Sequence, residues 1–264
     1  MAVNRQPGRL RVGTSGFNYP HWKGRFYPPD LPSARWLTYY AQHFTTVELN
    51  VTFYRLPGEQ AFRRWAASVP HAFRFVLKGS RFITHIKRLK DCDEPLEALF
   101  RNAGPIGQQL DVVLWQLPPR FRADPERLET FLEQLDRWTF RHAFEFRDAS
   151  WFEPSVLEVL RQHNAAVVMA DWPFPDVDIQ PTANWIYLRR HGPAPPYAGS
   201  YPDEILARDA QAIGAWLRCG MDVFCFFNND VGGYAVEDAR RLQALVGDVP
   251  GHLTHDPNSR GQVP

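Results

Sequence analysis

The chain has 264 residues, of which 44% are hydrophobic and 22% charged, and its 30 Lys and Arg residues nearly balance its 29 Asp and Glu residues. This composition is typical of a globular protein and excludes a disordered or fibrous chain. A net charge of +1 gives no general attraction to nucleic acids or anionic membranes, so a nucleic-acid role would need a local basic patch.

The cysteines and the hydropathy pattern bear on where the protein resides. Cys92, Cys219 and Cys225 are widely spaced, which indicates neither a disulfide framework nor a zinc site. Residues 1–14 contain no apolar stretch of signal-peptide length, and no run of roughly 18 apolar residues occurs in the sequence. We therefore predict a cytoplasmic protein without a membrane partner.

Apolar runs alternate regularly with stretches of helical period between residues 10 and 247, and no linker interrupts them. The ends, 1–9 and 248–264, lack such a period and are predicted to be flexible tails. Strands are predicted at 10–14, 46–54, 73–78, 111–117, 142–147, 165–171, 184–190 and 221–229. Helices are predicted at 33–44, 58–69, 94–103, 124–138, 153–163, 203–220 and 235–247. Only the sixth strand has no helix after it, because the Pro-rich segment 172–183 interrupts one.

The alternation predicts the fold class. Strands separated by helices must run parallel, and near-continuous apolar strands are covered on both faces. Eight such units predict an α/β protein with a single (β/α)8 TIM barrel over residues 10–247. An open doubly wound sheet is the alternative.

Polar residues end the predicted strands on one face. Side chains alternate along a strand, and Val112 and Leu114 share their parity with Gln116. Later strands repeat this change from apolar to polar, as in the sixth strand, where Val167 and Met169 share a face with Asp171. In a barrel this directs the polar groups into the C-terminal mouth, where barrel enzymes hold their active sites. The residues are Glu48, Lys78, Gln116, Glu145, Arg147, Asp171, Arg189, His191 and Asn228. Arg74 shares the parity of Lys78 but begins its strand, so it either caps the barrel bottom or the register is off by one.

These strand-end charges admit a structural interpretation, in which they only pair with one another. Desolvation of buried ion pairs often cancels their attraction, so gathering many charges in one mouth is costly. The cluster therefore indicates a ligand.

Eight segments carry a resemblance to a known family. They are GTSGFNYPHWKGRFYP (13–28), VELNVTFYRLP (47–57), FVLKGSRFITH (75–85), LWQLPPRF (114–121), FEFRDASWF (144–152), VVMADWP (167–173), WIYLRRHGP (185–193) and FCFFNND (224–230). In this order they resemble the signatures of the YecE-like family, also called domain of unknown function 72. The resemblance covers residues 10–247 and implies a TIM barrel, a cytoplasmic protein and no established reaction.

Glu48, Lys78 and Glu145 are the predicted catalytic residues. The two glutamates end the second and fifth strands, nearly opposite each other, and carboxylates in unequal environments can act as an acid and a base. Lys78 would favour their ionised forms and, if desolvated, could itself act as a base or form an imine with a carbonyl substrate. The competing interpretation is a buried ion pair between Lys78 and either glutamate.

The other mouth residues are predicted to bind the substrate. Arg147, Arg189 and His191 suit a phosphate or carboxylate. The backbone of residues 13–16 could also meet an oxygen, although a tight turn explains the same glycines. The aromatic residues after the strands either stack on the substrate or pack the loops; they are Trp22, Phe26, Tyr27, Phe53, Tyr54, Trp151 and Trp172. The predicted substrate-binding residues are Ser15, Asn50, Tyr54, Gln116, Arg147, Trp151, Asp171, Arg189, His191 and Asn228.

Together these features predict an enzyme that applies acid/base catalysis to a small anionic substrate resembling a sugar phosphate. Isomerisation, aldol-type cleavage and hydrolysis fit equally well. One alternative is a divalent-metal-dependent enzyme resembling a sugar isomerase, with Glu48, Glu145, Asp171 and His191 as ligands. Lys78 and the arginines would compete with the ion, so no metal or cofactor is predicted. The other alternative is a non-catalytic ligand-binding or nucleic-acid-binding module using the basic stretches 63–65 and 81–90, although such stretches are commonly solvated loops. No oligomeric state is predicted.

Overall fold

Eight parallel strands form the centre of the structure, a computed structural model that describes residues 6–174, 179–193 and 196–247. They are β1 (Leu10–Thr14), β2 (Thr46–Leu49), β3 (Arg74–Lys78), β4 (Leu110–Gln116), β5 (Arg141–Glu145), β6 (Ala166–Ala170), β7 (Trp185–Arg190) and β8 (Asp222–Phe227). Neighbouring strands pair in the order β1-β8-β7-β6-β5-β4-β3-β2. The predicted single (β/α)8 barrel is confirmed.

Helices cover the outside of the strands. They are α1 (Trp36–Tyr40), α2 (Val51–Tyr54), α3 (Glu59–Ala67), α4 (Asp93–Ala103), α5 (Pro125–Leu135), α6 (Pro154–Gln162), α7 (Asp203–Arg218) and α8 (Tyr234–Gly247). The Asp124 carboxylate accepts a hydrogen bond from Arg127 N at 3.1 Å at the start of α5, where Pro125 needs no partner for its nitrogen. Between β6 and β7, residues 171–174 and 179–184 form no helix, as the Pro-rich segment predicted.

The barrel closes between β1 and β2 through a short bridge at Ser15 and Glu48. The hydroxyl of Tyr40 spans the seam, because it accepts from Thr14 N at 2.9 Å and donates to Thr46 O at 3.2 Å. Gly13 permits the close approach, since a Cβ atom there would lie 2.5 Å from Thr46 O. A side-chain hydroxyl thus replaces part of the strand ladder at this seam.

The barrel interior follows the predicted alternation in β3, β4, β5, β7 and β8. The interior cluster consists of Val76, Val112, Leu114, Ala143, Ala166, Val168, Trp185, Tyr187, Phe224 and Phe226. The prediction for β6 is wrong by one residue, because Ala166 and Val168 face inward while Val167 packs in the outer core. Its sequence, AVVMA, is apolar at every position, so no polar residue distinguished its two faces.

The predicted strand at 46–54 ends early, at Leu49, and the helical turn α2 follows it. The β-branched residues Val51 and Thr52 favoured the strand prediction. The Thr52 hydroxyl instead lies 2.9 Å from Leu49 O and 2.6 Å from Lys78 O, which holds the turn against the end of β3. The predicted helix at 33–44 is likewise shorter, as a 3-10 turn at Ser33–Arg35 followed by α1.

The bottom of the barrel orders part of the predicted N-terminal tail. Gly8 N donates to Leu217 O and Val223 N donates to Arg9 O, both at 2.8 Å. The rest of the predicted tails, except residues 6 and 7, lies outside the described residues. Arg74 pairs with Asp111 at 3.3 Å at this end of the barrel, so the bottom-cap interpretation of Arg74 is confirmed. In the described part of the chain, no helix has the length and apolar character to cross a membrane.

Candidate functional site

Arg189 is the centre of a buried ion-pair network at the C-terminal mouth. Its side chain is 0% exposed, and Nε and Nη2 donate to the Glu48 carboxylate at 3.1 and 2.7 Å. Nη1 donates to Glu145 Oε2 at 2.6 Å. Because Glu48 lies on β2, Glu145 on β5 and Arg189 on β7, one guanidinium ties together three strands that are far apart in sequence. The structure thus places three of the predicted mouth residues in direct contact.

Two hydroxyls complete the shell around Glu48. Tyr187 donates to Glu48 Oε2 at 2.7 Å, and Ser15 donates to Oε1. Ser15 Oγ also accepts from Arg189 Nη2 at 2.8 Å and from Asn50 Nδ2 at 3.0 Å. Tyr187 was missed as a site residue because it reads as an apolar core position, yet its strand parity with Arg189 was available as a signal.

The two glutamates are held ionised. Burial opposes the charge of Glu48, but Arg189, Lys78 and the two hydroxyls outweigh it, and its pKa falls below the usual range. Burial likewise opposes the charge of Glu145, but Arg189 and Arg147 outweigh it and lower its pKa. Neither carboxyl is therefore a proton donor at neutral pH. The two glutamates predicted as an acid/base pair are both ion-pair partners of Arg189.

A second layer extends the network from Glu145 to the loop after β6. Arg147 pairs with Glu145 and donates from Nη2 to His191 Nε2 at 3.0 Å. Because Nε2 accepts, the proton of His191 resides on Nδ1, which lies 3.3 Å from Asp171 Oδ1. Burial lowers the pKa of His191, so the ring is neutral. Tyr201, which was not among the predicted residues, donates to the other oxygen of Asp171.

Arg147 is not fully paired. Its Nε and Nη1 are buried without a hydrogen-bond partner among the described residues. Its guanidinium lies 4.3 Å from the ring centroid of Trp172, which is 36% exposed. Arg147 is thus the arginine of the network with donors left over, whereas the donors of Arg189 are directed at Glu48, Glu145, Ser15 and His191.

A pocket of about 750 Å³ opens at the mouth beside this network. Three carboxamides, Asn50, Gln116 and Asn228, contribute to its wall together with Lys78. Tyr54 lines it from α2 and is 73% exposed. Five of the predicted site residues therefore share one cavity.

Lys78 ends β3 and faces this pocket without an ion pair or hydrogen bond from its amine to any described residue. Its Nζ lies 4.5 Å from the ring centroid of Phe53, and the residue is 8% exposed. Burial and the neighbouring Arg189 lower the pKa of Lys78 to about 8, against a smaller opposing effect of Glu145 and Glu48. The ion-pair interpretation of Lys78 is thus wrong, because the arginines already occupy both glutamates.

His85 is a pocket residue that the sequence analysis did not assign. It lies on a π-helical turn, Phe82–Ile86, where only a loop was predicted, and π turns are frequent at functional sites. Its ring packs edge-on against Phe53, with 5.0 Å between centroids. Nδ1 lies 2.9 Å from Thr84 Oγ1, and burial lowers the pKa of His85 to about 4. A histidine inside the quoted FITH segment was the available signal.

Several predicted contributors lie elsewhere. Trp151 is buried and donates to Phe121 O at 2.5 Å, so it packs a loop and does not line the pocket. Trp22 is also fully buried. The backbone amides of Ser15 and Gly16 donate to Phe227 O and Glu48 O at 2.8 Å, so barrel closure uses the donors considered for a ligand oxygen.

The four side chains considered as metal ligands, Glu48, Glu145, Asp171 and His191, contact other side chains of the protein. Glu48 and Glu145 bind guanidinium groups, and His191 lies between Asp171 and two arginines. Over 6–174, 179–193 and 196–247, no three His, Cys, Asp or Glu side chains are grouped to hold an ion. The residues therefore do not favour the metal-dependent alternative.

The chain resembles proteins and structures of one family. The family described as "Protein of unknown function DUF72" matches residues 11–262. The UPF0759 protein YunF of Bacillus subtilis is 26% identical over 258 residues, covering 83% of this chain and 89% of that protein. The UPF0759 protein YecE of Escherichia coli is 30% identical over 115 residues, covering 43% of this chain and 42% of that protein.

Solved structures agree on the fold. A DUF72 family protein from Thermotoga maritima has a TM-score of 0.79 at 29% identity, over 91% of this chain and all of that chain. A D-psicose 3-epimerase crystallised with D-fructose has a TM-score of 0.56 at 11% identity, over 92% of this chain and all of that chain, which shows a shared fold alone. With the family matching nearly the whole barrel, the chain belongs to the DUF72 family, whose function is unknown.

Proposed function

We propose that this protein is an enzyme that binds a small, polar, anionic substrate in the mouth pocket and uses Lys78 as its proton-handling group. One observation carries the proposal: a nearly buried amine faces the pocket while both neighbouring carboxylates are bound to arginines. A buried lysine with no ion pair or hydrogen bond to a described residue costs stability, so its presence at the pocket favours a chemical role. Glu48 and Glu145 act here as positioning residues.

The network supports Lys78 in this role. With a pKa of about 8, the amine can both give up and take back a proton near neutral pH, as a general base requires. Glu48 and Glu145 remain anionic beside it and keep the protonated form accessible, whereas Arg189 opposes it. Glu48, Glu145 and Arg189 therefore set the balance between the protonated and neutral forms of the amine.

The pocket supports a hydroxyl-bearing anion. The carboxamides of Asn50, Gln116 and Asn228 offer both donors and acceptors, which suit vicinal hydroxyl groups. The charged side chains that line the pocket are Arg55, Lys78 and Asp230, which leaves one excess positive charge while the lysine is protonated. This excess favours a phosphate or carboxylate substituent. Arg147 stacks on Trp172, which contacts the pocket residue Tyr197, and its Nε and Nη1 have no partner among the described residues.

The test is turnover by matched lysine variants. Sugar phosphates from three to six carbons would be incubated with wild type, Lys78→Met and Lys90→Met, and each reaction followed by NMR. Lys90 is exposed and lies away from the pocket. We expect Lys78→Met to lose turnover by about 10²- to 10⁴-fold and Lys90→Met to match wild type. Equal turnover by wild type and Lys78→Met would contradict the proposal.

The nucleic-acid alternative rests on a groove of about 580 Å³ next to the mouth, lined in part by Arg81, Phe82 and Lys87. Phe82 is 49% exposed and could stack on a base. Asp91 and Glu94 line the same groove and would repel phosphates. The mixed charge of this groove does not favour the binding module over the enzyme.

A further inference from the structure

We propose that Lys78 acts as a nucleophile, forming an imine with the carbonyl carbon of an aldehyde or ketone substrate that carries hydroxyl groups and an anionic substituent. This inference rests on the proposed function and narrows it, because a general base needs no carbonyl in its substrate and an imine-forming amine does.

The first support is the freedom of the amine. An ammonium group held in an ion pair has no lone pair to offer, and the nearest anions here are engaged by Arg189 and Arg147. Nζ instead lies over the Phe53 ring and lines the cavity. A carbonyl carbon entering the pocket can therefore approach Nζ without first breaking an ion pair or hydrogen bond of the amine to a described residue.

The second support is the population of the neutral amine. With a pKa of about 8, about one Lys78 side chain in ten is neutral at pH 7, compared with about one in several thousand for an ordinary lysine. Desolvation and a neighbouring cation are the conditions under which lysines become nucleophiles in proteins. Burial and Arg189 supply both conditions here.

The third support is the charge of the adduct. A protonated imine keeps one positive charge at Nζ, the same charge that the ammonium carries. Glu48 and Glu145, which favour the ammonium electrostatically, would favour the protonated imine equally. The network is thus suited to hold the cationic intermediate, which in turn withdraws electrons from the neighbouring carbon.

The reaction of the neutral amine, the carbonyl group and one proton gives a protonated imine and one water molecule. The Nζ lone pair forms a C–N bond as the carbonyl π electrons move to oxygen, which takes up a proton while nitrogen loses one. The hydroxyl of this carbinolamine then takes up a second proton, from solvent, and leaves as water as the nitrogen lone pair forms C=N, which leaves a protonated imine on Lys78. The transfer of the first proton from nitrogen to oxygen passes through His85, whose neutral ring contacts the same Phe53 ring as Lys78 and has a pKa of about 4.

Borohydride trapping tests the proposal on the full chain. The protein would be incubated at pH 7 with dihydroxyacetone phosphate or D-glyceraldehyde 3-phosphate and sodium cyanoborohydride, which reduces an imine to a stable secondary amine. Peptide mass spectrometry then locates the adduct. The other lysines in the sequence, Lys23, Lys87 and Lys90, are internal controls, and glycerol 3-phosphate is the matched probe without a carbonyl.

We expect a saturable adduct on Lys78 at a level at least about tenfold above each other lysine, because of its larger neutral fraction. Lys78→Arg should abolish it, and His85→Asn should slow its formation while leaving the saturating concentration unchanged. Uniform labelling of all lysines, or no adduct on Lys78, would overturn the imine. Lys78-dependent turnover without any adduct would overturn the imine alone and leave the general-base proposal standing.

Discussion

The two ends of the barrel both gather arginines and carboxylates, but they do so in different ways. At the bottom, Arg11 and Arg74 share Asp111 through single contacts of 3.4 and 3.3 Å, and these side chains are 18–24% exposed. At the mouth, Arg189 makes contacts of 2.6–3.1 Å to two carboxylates and is 0% exposed.

Opposite pKa shifts of the carboxyls follow from this contrast. Burial raises the pKa of Asp111 despite its two arginines, because the contacts are long. The same effect of burial on Glu145 is overcome by the short contacts of Arg189 and Arg147, which lower its pKa. The comparison teaches that contact geometry, more than the number of arginines, decides whether a buried carboxylate stays ionised.

The largest expected effect is that of removing the central arginine. Arg189→Met should lower the free energy of unfolding by about 3–5 kcal/mol, because it leaves two carboxylates buried without their common partner. The matched change at the bottom, Arg74→Met, should cost less than about 1 kcal/mol, since Asp111 keeps Arg11 and contact with solvent. Urea denaturation at pH 7 measures both. Equal losses would show that the two clusters do not differ energetically.

An intermediate and opposite effect is expected at Lys78. Lys78→Met should raise the free energy of unfolding by about 1–3 kcal/mol at pH 7, because it removes a buried charge that has no ion pair or hydrogen bond within the described part of the chain. The folded pKa of about 8 lies below the value of 10.5 for an ordinary lysine, so the unfolded chain binds more protons between these two pH values. The free energy of unfolding of wild type therefore rises from about pH 8 to pH 10.5 relative to that of Lys78→Met. The stability advantage of the variant becomes smaller over the same range.

Denaturant titrations of wild type, Lys78→Met and Lys90→Met from pH 7 to pH 10 check this sign. Lys90 is exposed, so its variant should follow wild type throughout. A Lys78→Met protein less stable than wild type at pH 7 would mean that the amine contributes to the fold, which would weaken its assignment to chemistry.

The smallest effect is expected for the bottom carboxylate. Asp111→Asn should change the free energy of unfolding by less than about 1 kcal/mol, because burial already opposes the charge of Asp111 and both arginines keep access to solvent. Glu145→Gln at the mouth should cost several times more, since it leaves Arg147 and Arg189 without a shared anion. Parallel thermal and urea unfolding would rank the two variants, and a reversed order would refute the contrast.

Much of the architecture was predictable from local patterns. The alternation of strands and helices predicted the barrel, and strand parity placed Glu48, Lys78, Gln116 and Arg189 at one mouth. Parity failed in β6, whose AVVMA sequence is apolar on both faces. The helical turn α2 was missed because the contact between Thr52 and Lys78 O joins segments far apart in the chain.

The sequence by itself determined which charges meet, because the period of a strand and the order of the barrel are local properties repeated eight times. Only the tertiary structure decided which charged side chains form ion pairs. Arg189 pairs with both glutamates, and Lys78 faces the pocket. The physical reason is that pairing depends on differences of a few tenths of an ångström in the distances between side chains from different strands, and no sequence pattern carries that information.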